Sequence, residues 1–225
     1  MVKIQEIVGV PGSGKTSYAI HSYSLMRSNE HDIIVYHHDL AKDGVRYVAK
    51  KHADRNSNFA KIHDYTAKMR DLSLDDMLNT ILFRQKINRI MYNLIIESGV
   101  KSIISEGFFV PLNPSILMTN SFKDTYATLQ QRSINRHGVS VDEELAINQT
   151  NKIMQTQEFL YNYLQNLNLV SESRSKYSFL DSRIPYSFFD PRLVSKILLE
   201  ELCLPSNNSD IKEFEIGVEH GLKHL

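Results

Sequence analysis

Residues 9–16 read G-V-P-G-S-G-K-T, a complete G-x-x-x-x-G-K-[ST] phosphate-binding loop. An apolar run from Ile4 to Val10 leads into this loop, and a helical pattern follows the loop. This is the strand–loop–helix context that a phosphate-binding loop requires. Glycines allow the backbone to curl so that successive N–H groups point at phosphate oxygens, and the start of the following helix adds partial positive charge. The segment therefore predicts a site for the triphosphate of a nucleotide.

Two side chains of this loop have defined chemistry. We expect the Lys15 ammonium to reach the β- and γ-phosphates and the Thr16 hydroxyl to bind Mg²⁺. The expected cofactors are therefore ATP and Mg²⁺. The predicted nucleotide-binding residues are Gly9, Pro11, Gly12, Ser13, Gly14, Lys15, Thr16 and Ser17.

Carboxylates follow two other strand-like runs, and both are candidates for the acceptor side of the reaction. Asp39 comes after a β-branched run, and Glu106 ends another. Ligands bind beyond the carboxyl ends of parallel strands, so both should lie near Lys15. Phosphoryl transfer needs a carboxylate that positions or deprotonates the acceptor hydroxyl, and Asp39 is the candidate, although Asp is also a common helix N-cap. Glu106 is predicted to contact Mg²⁺ or a substrate hydroxyl.

Two arginines are candidates for a closing segment over the phosphates. Arg132 and Arg136 lie four residues apart, on one helix face, just before Gly138. Guanidinium groups on a lid can neutralise the charge that develops on a transferred phosphoryl group. The alternative is a solvated helix face, since exposed arginines are common.

Weaker signals lie around the second strand. Arg46, with Lys50 and Lys51, forms a basic patch that can bind an anionic acceptor or can simply face water. Adjacent residues of a strand point to opposite faces, so His37 and His38 are not expected to share a metal ion. Phe108-Phe109 is expected in the core or a pocket wall rather than as a platform for bases.

The elements that must position these residues alternate along the chain. Strands are predicted at Ile4–Gly9, Asp32–His38, Lys101–Ser105, Ser115–Thr119 and Tyr177–Leu180, and helices fall between them. This alternation predicts the α/β class, with a parallel sheet of five strands covered by helices on both faces. Only residues 108–114 separate strands three and four, whereas parallel crossovers usually need a dozen residues or more.

Several helix boundaries carry sequence signals as well. Ser73 is a predicted N-cap of a long helix that ends at Gly99, whose apolar stripe shows a phase slip after residue 82. A further helix is expected to stop at Gly138, and a capping box predicts the next start at Ser140.

Composition excludes several classes of protein. The chain has 225 residues with 26 basic and 26 acidic side chains, so no global field attracts a polyanion. The single cysteine, Cys203, excludes an internal disulfide. No apolar stretch approaches about 18 residues, so we expect no membrane span and a cytoplasmic protein. The predicted domain covers residues 1–204, with a lid at about 132–145, and 205–225 are predicted to be a C-terminal appendage.

The assembled motifs resemble those of small P-loop kinases. The loop at residues 9–17 looks like that of zeta-toxin-type and polynucleotide-kinase-type enzymes, and Ile103-Ile104-Ser105-Glu106-Gly107 is similar to the third-strand ending of uridine kinases and zeta toxins. The resemblance implies that Asp39 acts on the acceptor hydroxyl and that Arg132 and Arg136 are lid arginines. It also implies the strand order 2-3-1-4-5.

These observations predict an ATP- and Mg²⁺-dependent kinase of a small acceptor: a nucleoside, nucleotide, sugar or nucleotide-sugar. In this hypothesis Lys15, Asp39, Arg132 and Arg136 are catalytic; Asp39, Arg46 and Glu106 bind the substrate; and Thr16 and Glu106 hold the metal. Two alternatives remain open at this stage. One is a kinase acting on a nucleic-acid end or base, and the other is a regulatory NTPase without kinase activity. The GTPase motif Asn-Lys-x-Asp is not matched at residues 151–154.

Overall fold

The computed structural model describes residues 2–27, 33–66, 74–167, 170–173 and 191–223. The strands are β1 Lys3–Gly9, β2 Ile33–His37, β3 Ser102–Gly107, β4 Ser115–Met118 and β5 Val170–Ser173. The helices are α1 Lys15–Arg27, α2 His38–His52, α3 Ser57–Tyr65, α4 Leu74–Glu97, α5 Phe122–His137, α6 Glu143–Asn166, α7 Pro191–Glu201 and α8 Asn208–Leu222.

The strands form one sheet in which every pairing is parallel, in the order β2-β3-β1-β4-β5. The predicted α/β class with a parallel sheet is confirmed, and β1 to β4 lie close to their predicted positions. The fifth strand requires a correction, because β5 occupies Val170–Ser173, where no strand was predicted. This segment is short and polar, so it carries no strand pattern of its own and forms by pairing with the edge of β4. The predicted strand Tyr177–Leu180 lies outside the described residues.

Helices cover both faces of the sheet, as predicted. Alternate residues of a strand point to opposite faces, so Ile34 and Ile103 belong to one layer, and Val35 and Ile104 to the other. The first layer packs against α2, α4, α7 and α8 near β2 and β3, and against α4 and α6 near β4. The second layer packs against α1 through Ala19.

The short connection between β3 and β4 is possible because β4 pairs only with the last residues of β1, from Ile7 to Gly9. After β3 the chain therefore runs back only a short distance toward the start of β1 before β4 begins. Glu6, which is 1% exposed, holds this connection with its carboxylate. It accepts hydrogen bonds from Leu112 N at 3.0 Å, Asn113 N at 2.8 Å and the Tyr92 hydroxyl at 2.9 Å. Burial raises the pKa of Glu6, and these donors oppose that rise.

The C-terminal segment 205–225, predicted to be an appendage, contains helix α8, which packs directly on α2. A Cβ on Gly217 would lie 2.5 Å from the Asp43 carbonyl oxygen and 2.8 Å from the Gly44 Cα. A Cβ on Gly44 would in turn lie 2.6 Å from the Phe214 ring. The two helices therefore meet at glycines, backbone against backbone, and α8 is part of the main core.

Polar contacts at the start of α8 complete this attachment. Asp210 is 0% exposed and forms a capping box with Asn207. Its carboxylate accepts hydrogen bonds from Lys51 Nζ at 2.9 Å and His52 Nε2 at 2.8 Å. The end of α2 is thus tied to α8 as well.

Two predicted helix boundaries can be compared with the structure. The predicted stop at Gly138 is confirmed, because this residue has φ +72° and its N–H donates to the Ile134 carbonyl. The predicted start at Ser140 is wrong: Asp142 is the N-cap of α6 and accepts from Leu145 N at 3.1 Å. Ser73 lies outside the described residues. Among the described helices, none is long and apolar enough to cross a membrane.

Candidate functional site

The loop between β1 and α1 has the curled backbone that its sequence predicts. Gly12 and Gly14 have φ +86° and +84°, a region that side chains with a Cβ rarely adopt. Gly9 is required for a different reason, because a Cβ there would meet the Met118 carbonyl oxygen and lie 2.7 Å from Ser13 Oγ. Pro11 lies in the same turn. The loop is thus a concave backbone segment at the carboxyl end of β1.

Lys15 begins α1, and its ammonium lies over the loop. Nζ donates a hydrogen bond to the Val10 carbonyl at 2.9 Å. Burial lowers the pKa of Lys15, the carboxylates of Glu106 and Asp39 oppose this, and the charge of Arg132 adds to it. Glu106, Asp39 and Arg132 are therefore all within electrostatic range of Lys15.

Thr16 and Glu106 are in direct contact. Thr16 Oγ1 donates a hydrogen bond to Glu106 Oε1 at 2.9 Å, and His37 Nδ1 lies 3.5 Å from the same oxygen. His37 and Glu106 are close because the sheet register sets His37 of β2 beside Glu106 of β3, on the face covered by α1. Ser17 continues the first turn of α1. The two predicted metal ligands are thus brought together.

The residues present fit a nucleotide triphosphate with Mg²⁺. Two buried oxygens, Ser13 Oγ and Glu106 Oε2, have no hydrogen-bond partner within the described part of the chain. Mg²⁺ prefers oxygen ligands and is commonly held by one or two protein groups together with waters and phosphates. A hydroxyl and a carboxylate at Thr16 and Glu106 supply such a pair. No group of three His, Cys, Asp or Glu with metal-site geometry exists among the described residues.

Asp39 lies in the first turn of α2, just beyond β2. It is not the N-cap of that helix, because His37 holds the N-cap position and makes no side-chain cap. A carboxylate in the first turn is stabilised by the helix dipole. The side chain is 40% exposed, so it is open to an incoming molecule.

The cations around Asp39 keep its carboxyl group ionised. Lys42 Nζ lies 2.9 Å from Asp39 Oδ1 and 3.1 Å from Asp43 Oδ1. Burial raises the pKa of Asp39, but the charges of Lys42, His37 and Arg84 outweigh it and hold the pKa well below its usual value. Asp39 is therefore an anion at neutral pH and accepts hydrogen bonds.

Helix α5 reaches the loop from the β4 side. A Cβ on Gly12 would lie 3.3 Å from the Thr128 methyl group, and Asn120 Nδ2 donates to the Gly12 carbonyl at 3.1 Å. Arg132 follows Thr128 by one turn, which explains its electrostatic interaction with Lys15. Arg136 lies one turn farther along α5, and its side chain is outside the described set.

The basic patch predicted after strand two is divided. Lys51 is occupied by Asp210 on α8, and Lys50 is exposed. Arg46 is half-buried and lies within electrostatic range of Arg84 on α4. Arg46 therefore shares an electrostatic neighbour, Arg84, with Asp39.

Sequence reasoning missed a buried polar stripe on α4. Thr80, Arg84 and Asn88 lie four residues apart and are at most 2% exposed. Arg84 Nη1 donates to the Phe108 carbonyl at 3.4 Å, and its guanidinium lies 5.3 Å from the centre of the Phe108 ring. The phase slip in the apolar pattern was the available signal, because polar residues occupy core positions there.

The sequence presents His38 only as half of a weak metal motif, whereas the structure gives it a buried role. Its Nδ1 lies 2.6 Å from Asn88 Oδ1, and its ring is 5.3 Å from that of Phe109. Burial lowers the pKa of His38 to about 3 despite the nearby Asp39 charge, so the ring is neutral. His37 and His38 thus point to opposite faces, as predicted. The rings of Phe108 and Phe109 are 3% and 0% exposed, so they are core residues.

Comparison with known proteins adds no family to this description. A scan against protein-family models and a search of curated proteins each found no match.

Proposed function

We propose that this protein is an ATP- and Mg²⁺-dependent phosphotransferase acting on a small-molecule acceptor. The observation that carries the proposal is the contact of Thr16 at the phosphate loop with Glu106 at the end of β3, 2.9 Å long. Asp39 lies at the end of the adjacent strand β2. Donor-binding and acceptor-binding groups are thus supplied by three neighbouring strands at one edge of the sheet, where ligands bind in α/β folds. A location in the cytoplasm stays a prediction.

In this proposal the loop amides and Lys15 bind the triphosphate. Thr16 and Glu106 would hold Mg²⁺, which when bound neutralises charge on the β- and γ-phosphate oxygens. Arg132, one turn beyond the contact of α5 with Gly12, adds positive charge above Lys15. Positive charge at these positions stabilises the transferred group in its transition state.

Asp39 has the role of orienting the acceptor hydroxyl by accepting its hydrogen bond. Its low pKa favours orientation over early removal of the proton. This suits a loose transition state, in which the attacking oxygen keeps its proton until bond formation is advanced. A small acceptor is favoured over a nucleic acid, because the aromatic pair and Lys51, which motivated that alternative, are engaged within the fold.

The test compares two variants that separate donor binding from transfer. Lys15→Ala should lose ATP binding in calorimetry with Mg²⁺ present. Asp39→Asn should keep ATP binding within about threefold and lose phosphate transfer by about 100-fold or more, the effect typical of a positioning or acid–base group. Transfer is measured with labelled ATP and pooled metabolites, followed by mass analysis. Transfer at the wild-type rate in Lys15→Ala would refute the proposal.

A further inference from the structure

Arg46 is an unusual cation for a helix surface, because it is half-buried yet has no hydrogen bond or ion pair with another described residue. It follows Asp39 by seven residues on α2, so both side chains lie on one face. Side chains of a helix tilt toward its N-terminus, which directs Arg46 toward Asp39. The face that carries Asp39 therefore also carries a guanidinium group that makes no hydrogen bond or ion pair within the described part of the chain.

The neighbours of Arg46 make an anionic ligand favourable. Burial is the main cause that lowers the pKa of Arg84 on α4 and of His63 on α3, and the positive charge of Arg46 lowers both further, while Asp39 and Asp43 oppose the shift of Arg84 and Asp64 opposes that of His63. In contrast, the charge of Lys42 is neutralised by Asp39 and Asp43. The charge of Lys51 is neutralised by Asp210. The positive charges of Arg46 and Arg84 repel each other, and an anion bound by Arg46 relieves that repulsion.

We propose that the acceptor carries an acidic group, a phosphate or a carboxylate, which Arg46 binds while Asp39 orients the hydroxyl. Arg84 is 2% exposed, so its charge acts on the bound anion from the protein interior, without direct contact. The inference rests on the proposed kinase function and narrows its substrate class from small molecules in general to anionic ones.

The first experiment measures binding of inorganic phosphate by calorimetry, with the phosphate loop saturated by Mg²⁺ and a non-hydrolysable ATP analogue. Arg46→Gln should weaken phosphate binding about tenfold or more, the effect of losing a charge-assisted hydrogen bond. Arg55→Gln, which removes an exposed positive charge just after α2, is the matched control and should bind as the wild type does. Absence of phosphate binding, or equal affinity in Arg46→Gln, overturns the inference.

The second experiment incubates labelled ATP with metabolites separated into acidic and neutral fractions. We expect label in the acidic fraction only, and label in the neutral fraction alone would overturn the inference while leaving kinase activity intact. Pretreatment of the acidic fraction with a phosphatase abolishes labelling if the group is a phosphate and leaves it if the group is a carboxylate. Label in neither fraction, with phosphate binding still dependent on Arg46, would count against the kinase proposal and not against the anion site.

Discussion

Replacing Glu106 with glutamine tests whether this residue supports Mg²⁺ in the proposed site. The substitution keeps the shape of the side chain and an oxygen that can accept from Thr16, whose hydroxyl lies 2.9 Å from Glu106 Oε1. It removes the negative charge and places an amide where an unpartnered buried oxygen now lies. We therefore expect the response of nucleotide binding to Mg²⁺ to fall, while binding of ATP without metal is kept.

The magnitude follows from the contacts. Replacing a group that supports a bound metal typically lowers metal affinity about 10–100-fold. Because glutamine keeps the oxygen and loses only the charge, we expect the lower end, a loss of about tenfold in affinity for Mg²⁺·ATP. Stability should move the other way, because Glu106 is 0% exposed and a neutral group is less costly to bury than a carboxylate. The unfolding temperature should stay equal or rise.

Glu6 provides a matched control, since it is also a buried glutamate of the sheet, 1% exposed, but accepts backbone N–H groups of the β3–β4 connection instead. Glu6→Gln should lower the unfolding temperature by roughly 3–10 °C, from one lost charged hydrogen bond in a chain of this size, and should keep the Mg²⁺ response. Calorimetric titration of ATP with and without Mg²⁺ and thermal unfolding measure both quantities. An unchanged Mg²⁺ response in Glu106→Gln would refute the assignment of Glu106 to the metal.

Two further outcomes concern stability. Because the pKa of His38 is lowered to about 3, the unfolded chain binds more protons than the folded one between pH 6.5 and about 3, so stability is lost as the pH falls through this window. His38→Gln should remove this part of the decline, at most about 1.4 kcal/mol per pH unit, in urea unfolding at several pH values; an identical slope would contradict the buried neutral ring. Gly217→Ala should destabilise the fold by about 2 kcal/mol or more, since its Cβ would meet the backbone of Asp43 and Gly44. The exposed Glu219→Ala is the control, and equal urea midpoints for the two variants would argue against a close contact of α2 with α8.

The sequence predicts those parts of the site whose residues lie close together in the chain or directly follow a strand. The phosphate loop is contiguous, and Gly12 and Gly14 are needed for the positive φ angles of its own backbone. Asp39 and Glu106 are also found from the sequence, because a strand ending is a local signal and parallel strands share one edge. Their contacts with Lys42 and Thr16 follow from helix spacing and sheet register.

The parts that were missed depend on long-range packing. Arg84 and Asn88 break the apolar period of α4 because they are paired with Phe108, just after β3, and His38, just after β2, which the local pattern does not contain. Strand β5 is polar and is defined by the edge of β4. The attachment of α8 was also missed, since glycines in a helix normally weaken it, and only the close approach to α2 explains them.

The glycine contact between α2 and α8 has a consequence for how donor and acceptor approach each other. Gly217 lies against the backbone of Asp43 and Gly44, and the Phe214 ring lies against Gly44, so α2 cannot shift along α8 without breaking these tight contacts. The carboxylate at the front of α2 is therefore a stationary reference point. For the proposed reaction we expect any closing movement in the hairpin of α5 and α6, whose tip around Val139 is exposed to solvent.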